Sequence, residues 1–146
     1  MKILISSRFV LLLLVLLASA TAAPQKLTSL NTTAKGQGTI NISDIDKHKV
    51  NSVMVILKEG GDADFTFYAD LQLTANGSWS VGEALSQGID IKITGGIVGG
   101  NATGTGKLYL REDGKSINKL SLQAKSADGS KVTIDFVADK SANKPK

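Results

Sequence analysis

Few residues in this chain are equipped for chemistry. It holds one histidine and no cysteine, so any catalytic or metal-binding reading must be built on a single imidazole with carboxylates and hydroxyls around it. His48 follows Asp44 and Asp46 at alternate positions. On an unbroken strand these three side chains would project to one side, where carboxylate oxygens and an imidazole nitrogen can converge on a divalent cation and support metal-assisted hydrolysis. Ile40 and Ile42 share that parity and belong inside a sheet, whereas Ile45 takes the opposite one. The strand is therefore expected to bulge or end near Ser43, leaving Asp44, Asp46 and His48 as a charged strand end.

The glycine-rich stretch from Gly95 to Lys107 superficially resembles a phosphate-binding loop. That motif needs a glycine five residues before its Gly-Lys pair, then Ser or Thr, then a helix. Here Asn101 stands at the first position, Leu108 follows Lys107, and the next segment alternates like a strand. The stretch reads instead as a loop, a lid over one barrel end, or a kink where a sheet turns a corner. No Gly-x-Ser-x-Gly occurs, and Asp64, Asp70, Asp90 and Asp135 fall on water-facing sides of strands, where ordinary surface roles are expected. No catalysis and no cofactor are expected. Four Asn-x-Ser/Thr sequons occur, at Asn31, Asn41, Asn76 and Asn101; those on turns would accept glycans in a eukaryotic secretory pathway.

The elements that would position these residues are strands. Apolar residues recur at every second position, the period that sends side chains to alternate faces. Phe65 and Phe67 alternate with Asp64, Thr66 and Tyr68; Ile89, Ile91 and Ile93 with Asp90 and Lys92; Val132, Ile134 and Phe136 with Thr133 and Asp135. Weaker alternation surrounds Ile40, Trp79, Leu108 and Leu110, and Leu120 to Ala124. Glu59-Gly60-Gly61-Asp62, Asn76-Gly77, Glu112-Asp113-Gly114-Lys115 and Asp128-Gly129 supply the positive φ that tight reversals need. The pattern predicts an all-β antiparallel meander of about eight strands closing as a small barrel, with a two-sheet sandwich as the alternative. No long helical stripe is present.

Residues 1–22 read as a cleaved signal peptide: Lys2 and Arg8 precede the apolar run Phe9 to Leu17, too short for a transmembrane helix, and small residues follow. Its removal lowers the net charge of +4 by two positive charges. Residues 23–36 are expected to form a flexible arm, residues 37–139 one β domain, and residues 140–146 a basic disordered tail. The remaining basic residues form no aromatic-interleaved patch, which argues against nucleic-acid binding. Short wet strands without aromatic girdles argue against a membrane barrel. An exported, soluble protein, periplasmic or extracellular, is expected.

Two functions lead, with a metal-assisted hydrolase built on Asp44, Asp46 and His48 as a remote third. In the first, the protein is a non-enzymatic binding or interaction module, using the face of Met54 and Ile56 in a strand apolar on both sides, the Gly95 to Gly106 loop, or both, with cover by the arm as the structural explanation of that strand. In the second, it carries a small apolar ligand in a pocket lined by Phe65, Phe67, Trp79, Ile91, Leu110 and Phe136. The meander resembles calycin-type small barrels in architecture only, without shared motif residues, and that resemblance implies the carrier. A partner is therefore an unidentified protein or a small apolar ligand.

Overall fold

A computed structural model describes residues 26–97 and 100–140. The proposed leader, the start of the arm, and residues 141–146 of the basic tail lie outside the described residues. Eight antiparallel strands follow in chain order: β1 (Leu30–Ile42), β2 (Asp46–Leu57), β3 (Asp62–Tyr68), β4 (Gln72–Val81), β5 (Ile89–Gly96), β6 (Thr103–Leu110), β7 (Ile117–Lys125) and β8 (Lys131–Ala138). Each pairs with its sequence neighbours, and β1 pairs with β8 from Gly36↔Ala138 to Ile42↔Val132, closing the barrel. Closure removes the open edges that a sandwich would keep.

The alternation read from sequence becomes an inside and an outside. Phe65, Phe67, Ile91 and Phe136 are at most 3% exposed, while Asp64, Thr66, Lys92 and Asp135 face outward. The rings of Phe65 and Phe67 lie 6.5 Å apart within that interior. Burying each phenylalanine stabilises the barrel by roughly 1.5–3 kcal/mol. The middle of the barrel is a packed core.

Three expectations need correction. Leu30–Gly36, assigned to a flexible arm, belongs to β1 and pairs with β2 from Leu30↔Leu57 to Lys35↔Ser52. It lies beside β2 rather than across its outer face. Its polar composition concealed the strand because only Leu30 and Ala34 in that stretch are buried.

Asn76-Gly77, assigned to a hairpin turn, lies inside β4. The reversal between β3 and β4 occurs instead at Ala69–Leu71, where the Ala69 amide donates to the Leu71 carbonyl at 3.0 Å. At Asn76 and Gly77 the β4–β5 register shifts, with Asn76 opposite Gly95 and Gly77 opposite Ile93, leaving Thr94 unopposed. Bulges and tight turns recruit the same residue types. Glycine is required here by close approach: a Cβ on Gly77 would stand 1.8 Å from the Lys92 carbonyl oxygen.

The connection after β5 is anchored rather than lid-like where it is described. Ile97 takes a left-handed φ of 57°, a conformation costing a β-branched residue roughly 1–2 kcal/mol. Burial of Ile97 and its amide hydrogen bond to the Thr74 carbonyl, 2.6 Å long, offset that cost. Ala102 is fully buried, and Gly104 and Gly106 pair with Ala124 and Leu122 inside the sheet.

Candidate functional site

The barrel ends differ. Trp79 faces inward and sits on a continuous rung of register partners running through Ile91, Gly106, Leu122 and Ile134 to Ile40. Its indole Nε1–H donates to the Lys58 carbonyl at 2.9 Å, and its backbone amide donates to the Gly61 carbonyl at 2.8 Å. The first bond orients the half-buried ring at the end of the core, and the second ties the backbone of β4 to the β2–β3 loop.

Above that rung the barrel opens into a cup of about 990 Å3, within the range of small-molecule sites. Its apolar walls come from Leu27 before β1, Trp79 and Val81 on β4, Leu85 in the β4–β5 connection, and Leu110 on β6. All five pack against the core while remaining partly exposed. The chain's three glutamates, Glu59, Glu83 and Glu112, stand around it with Lys26 and Arg111. That mixture of signs leaves the mouth with little net charge.

Two loops of the cup are well tied. Lys58 and Gly61 close the β2–β3 loop through Lys58 N–H to Asp62 carbonyl at 2.8 Å and Gly61 N–H to Lys58 carbonyl at 3.1 Å. The Lys58 ammonium meets the Asp64 carboxylate at 2.8 Å, which raises the lysine pKa. In the β6–β7 loop, Asp113 accepts hydrogen bonds from the Ser116 hydroxyl and from the Lys115 and Ser116 amides. These donors hold its carboxyl below the usual range. Arg111 donates to the Asp139 carbonyl at 2.8 Å, clasping the end of β8.

Of the six residues expected to line a ligand pocket, Trp79 and Leu110 line the cup. Phe65, Phe67, Ile91 and Phe136 do not: they are core residues, because neighbouring inward side chains fill the middle of the barrel. Leu27, Val81 and Leu85 were not anticipated. Nothing local marks them, since Leu27 joins Val81 and Leu85 only when two chain segments distant in sequence reach the same barrel end. The lone tryptophan was the available signal.

The other candidates lie elsewhere. Met54 and Ile56 face outward but are half-buried, flanked in register by Thr33 and Thr66 and by Asn31 and Asp64. The strip is narrower than its sequence implies, because neighbouring strands shield both sides of it. Asp44, Asp46 and His48 do not assemble into a metal centre. Ser43 and Asp44 adopt left-handed φ values of 52° and 59°, turning the chain between β1 and β2, and the strand ends near Ser43 as its parity required. Among the described residues no three His, Asp or Glu side chains come together to hold a metal ion.

His48 meets Asp70 instead, with Nδ1 2.9 and 3.0 Å from the two carboxylate oxygens. The contact lowers the Asp70 pKa, chiefly through this hydrogen bond. The pair is at the barrel end opposite the cup. Asn31, Asn76 and Asn101 are exposed, whereas Asn41 is partly buried with its Oδ1 enclosed and lacking a hydrogen-bond partner.

No protein-family model matches the chain, and no curated protein or solved structure shows significant similarity to it.

Proposed function

We propose that this protein is an exported, non-catalytic binding module that holds a small apolar or weakly polar molecule in the cup at the Trp79 end of its barrel. The carrying observation is a tryptophan whose indole is held by a hydrogen bond to the Lys58 carbonyl in the wall of a cup that opens above a filled core. A preorganised aromatic surface binds without the entropic cost of ordering a mobile side chain. The only imidazole is engaged by Asp70 at the other end of the barrel, away from any molecule held against Trp79. Export is supported by the leader-like residues 1–22.

The test uses N-phenyl-1-naphthylamine, a neutral apolar fluorophore, titrated into purified protein with its own emission as the readout. Saturable enhancement is expected, with affinity reduced about tenfold in Trp79→Ala and in Leu110→Ala. Such a loss corresponds to about 1.4 kcal/mol, within the scale of losing one buried apolar contact. Met54→Ala on the outer face should bind like the parent protein. Absence of saturable binding, or equal affinity in all four proteins, would reject the cup as the site.

A further inference from the structure

The wall between Val81 and β5 is built unlike the two tied loops. From Gly82 to Gly88 the chain forms a strap containing one 3-10 turn, Leu85–Gln87. Its backbone hydrogen bonds, Gln87 N–H to the Ala84 carbonyl and Gly88 N–H to the Leu85 carbonyl, both 3.1 Å, begin and end within the strap. No side chain caps the turn. The tied loops instead hydrogen-bond across their strand ends, and the β2–β3 loop also bonds to Trp79.

Both ends of the strap have hinge-like geometry. A Cβ on Gly82 would meet nothing within 4 Å, so the space beside the chain is open there. Gly88 has a φ of +94° and lies against the Tyr109 ring; a Cβ there would approach Tyr109 Cε1 to 3.0 Å. Between these points the strap contributes Ala84 and Leu85 to the cup, both partly buried. It therefore carries an apolar inner face, internal backbone bonds, a glycine in open space at Gly82 and a buried positive-φ glycine at Gly88.

We propose that this strap is the gate of the cup, swinging outward between Gly82 and Gly88 to admit a ligand and reseating Leu85 beside Trp79 to retain it. The inference rests on the cup being the binding site. Motion of this kind keeps the strap's own hydrogen bonds and disrupts the packing of Leu85 and Ala84 and the turn's contacts with β6. The surrounding strands remain paired, so opening requires no unfolding of the barrel.

The absence of cysteine permits a direct test. In Leu85→Cys the introduced thiol is the sole thiol, and Leu110→Cys places one on the fixed strand wall of the same cup. Labelling with 5,5′-dithiobis(2-nitrobenzoic acid) should be about tenfold or more faster for Leu85→Cys, at a rate insensitive to low urea, as local opening requires. Adding Gly82→Pro to Leu85→Cys should slow labelling severalfold. If Leu85→Cys disturbs folding, judged by Trp79 emission, Ala84→Cys supplies the same measurement.

Equal labelling of strap and wall thiols, or a common rise of both rates with urea, would overturn the gate. In stopped-flow mixing with N-phenyl-1-naphthylamine, Gly82→Pro should slow association and dissociation together while leaving affinity within about twofold, the signature of a changed barrier. An unchanged association rate would also overturn it. If the probe does not bind, the cup reading fails, while thiol labelling still decides whether the strap opens.

Discussion

Replacing Gly77 by alanine asks whether a glycine that resembles a turn residue is instead part of a bulge pressed against the next strand. The added Cβ would stand 1.8 Å from the Lys92 carbonyl oxygen, 2.8 Å from its carbon and 3.0 Å from Ile93 Cα. All three are backbone atoms, so no side-chain rotation relieves the clash, and β4 and β5 must separate locally. Overpacking costs about 1–3 kcal/mol, and weakening one or two ladder hydrogen bonds adds about 1 kcal/mol each. The expected destabilisation is about 3 kcal/mol, with a fall in Tm of about 10 °C for a domain of this size.

Gly129→Ala is the matched comparison. Gly129 lies in the β7–β8 turn at φ +88° with nothing within 4 Å of its virtual Cβ. Its substitution should cost only the left-handed conformational penalty, about 1 kcal/mol. Urea unfolding followed by the emission of Trp79 measures both variants against the parent. Equal destabilisation, within about 0.5 kcal/mol, would refute the close-approach argument, since that outcome requires both glycines to serve only local turn geometry.

Phe136→Ala should lower stability by about 3–5 kcal/mol, the usual cost of deleting a buried aromatic side chain, while the folded fraction keeps its affinity for N-phenyl-1-naphthylamine; chemical denaturation and titration separate the two effects. Asp128 is held at about 2 by the Ser126 hydroxyl and Ser130 amide. Its contribution is therefore complete above the ordinary aspartate pKa and is lost as pH falls through the folded value, so Asp128→Asn should flatten the decline in Tm between about pH 5 and 2. Removing His48 with His48→Gln should return the Asp70 pKa toward its ordinary value, read by carboxyl carbon NMR; an unchanged titration would discount the observed contact.

The parts of the fold legible from sequence were those whose burial is one-sided and locally periodic. Ile89, Ile91 and Ile93, and Val132, Ile134 and Phe136, reveal their inward face because each intervening residue meets water. Asp128-Gly129 and Asp113-Gly114 correctly mark reversals, since a local turn is specified within a few residues. Asn76-Gly77 misled because the same backbone tolerance serves a bulge, and the choice between them is made by β5. The first half of β1 was concealed by polar residues whose extended form is stabilised mainly by pairing with β2. The cup was only partly legible: Trp79 and Leu110 pointed to it, but Leu27, Val81 and Leu85 acquire their shared environment from chain segments distant in sequence.

The pairing of Gly36 through Ile42 with Val132 through Ala138 has a consequence for how the molecule is made. Its seam joins the first and last strands of the barrel, 90 to 102 residues apart in sequence, so local hairpins can form early while the ring stays unsealed until the final strand arrives. That separation makes the closing step slow relative to hairpin formation. A polypeptide lacking its last strand would present two raw edges, one on each side of the missing stave, and would be prone to recruit another chain in its place.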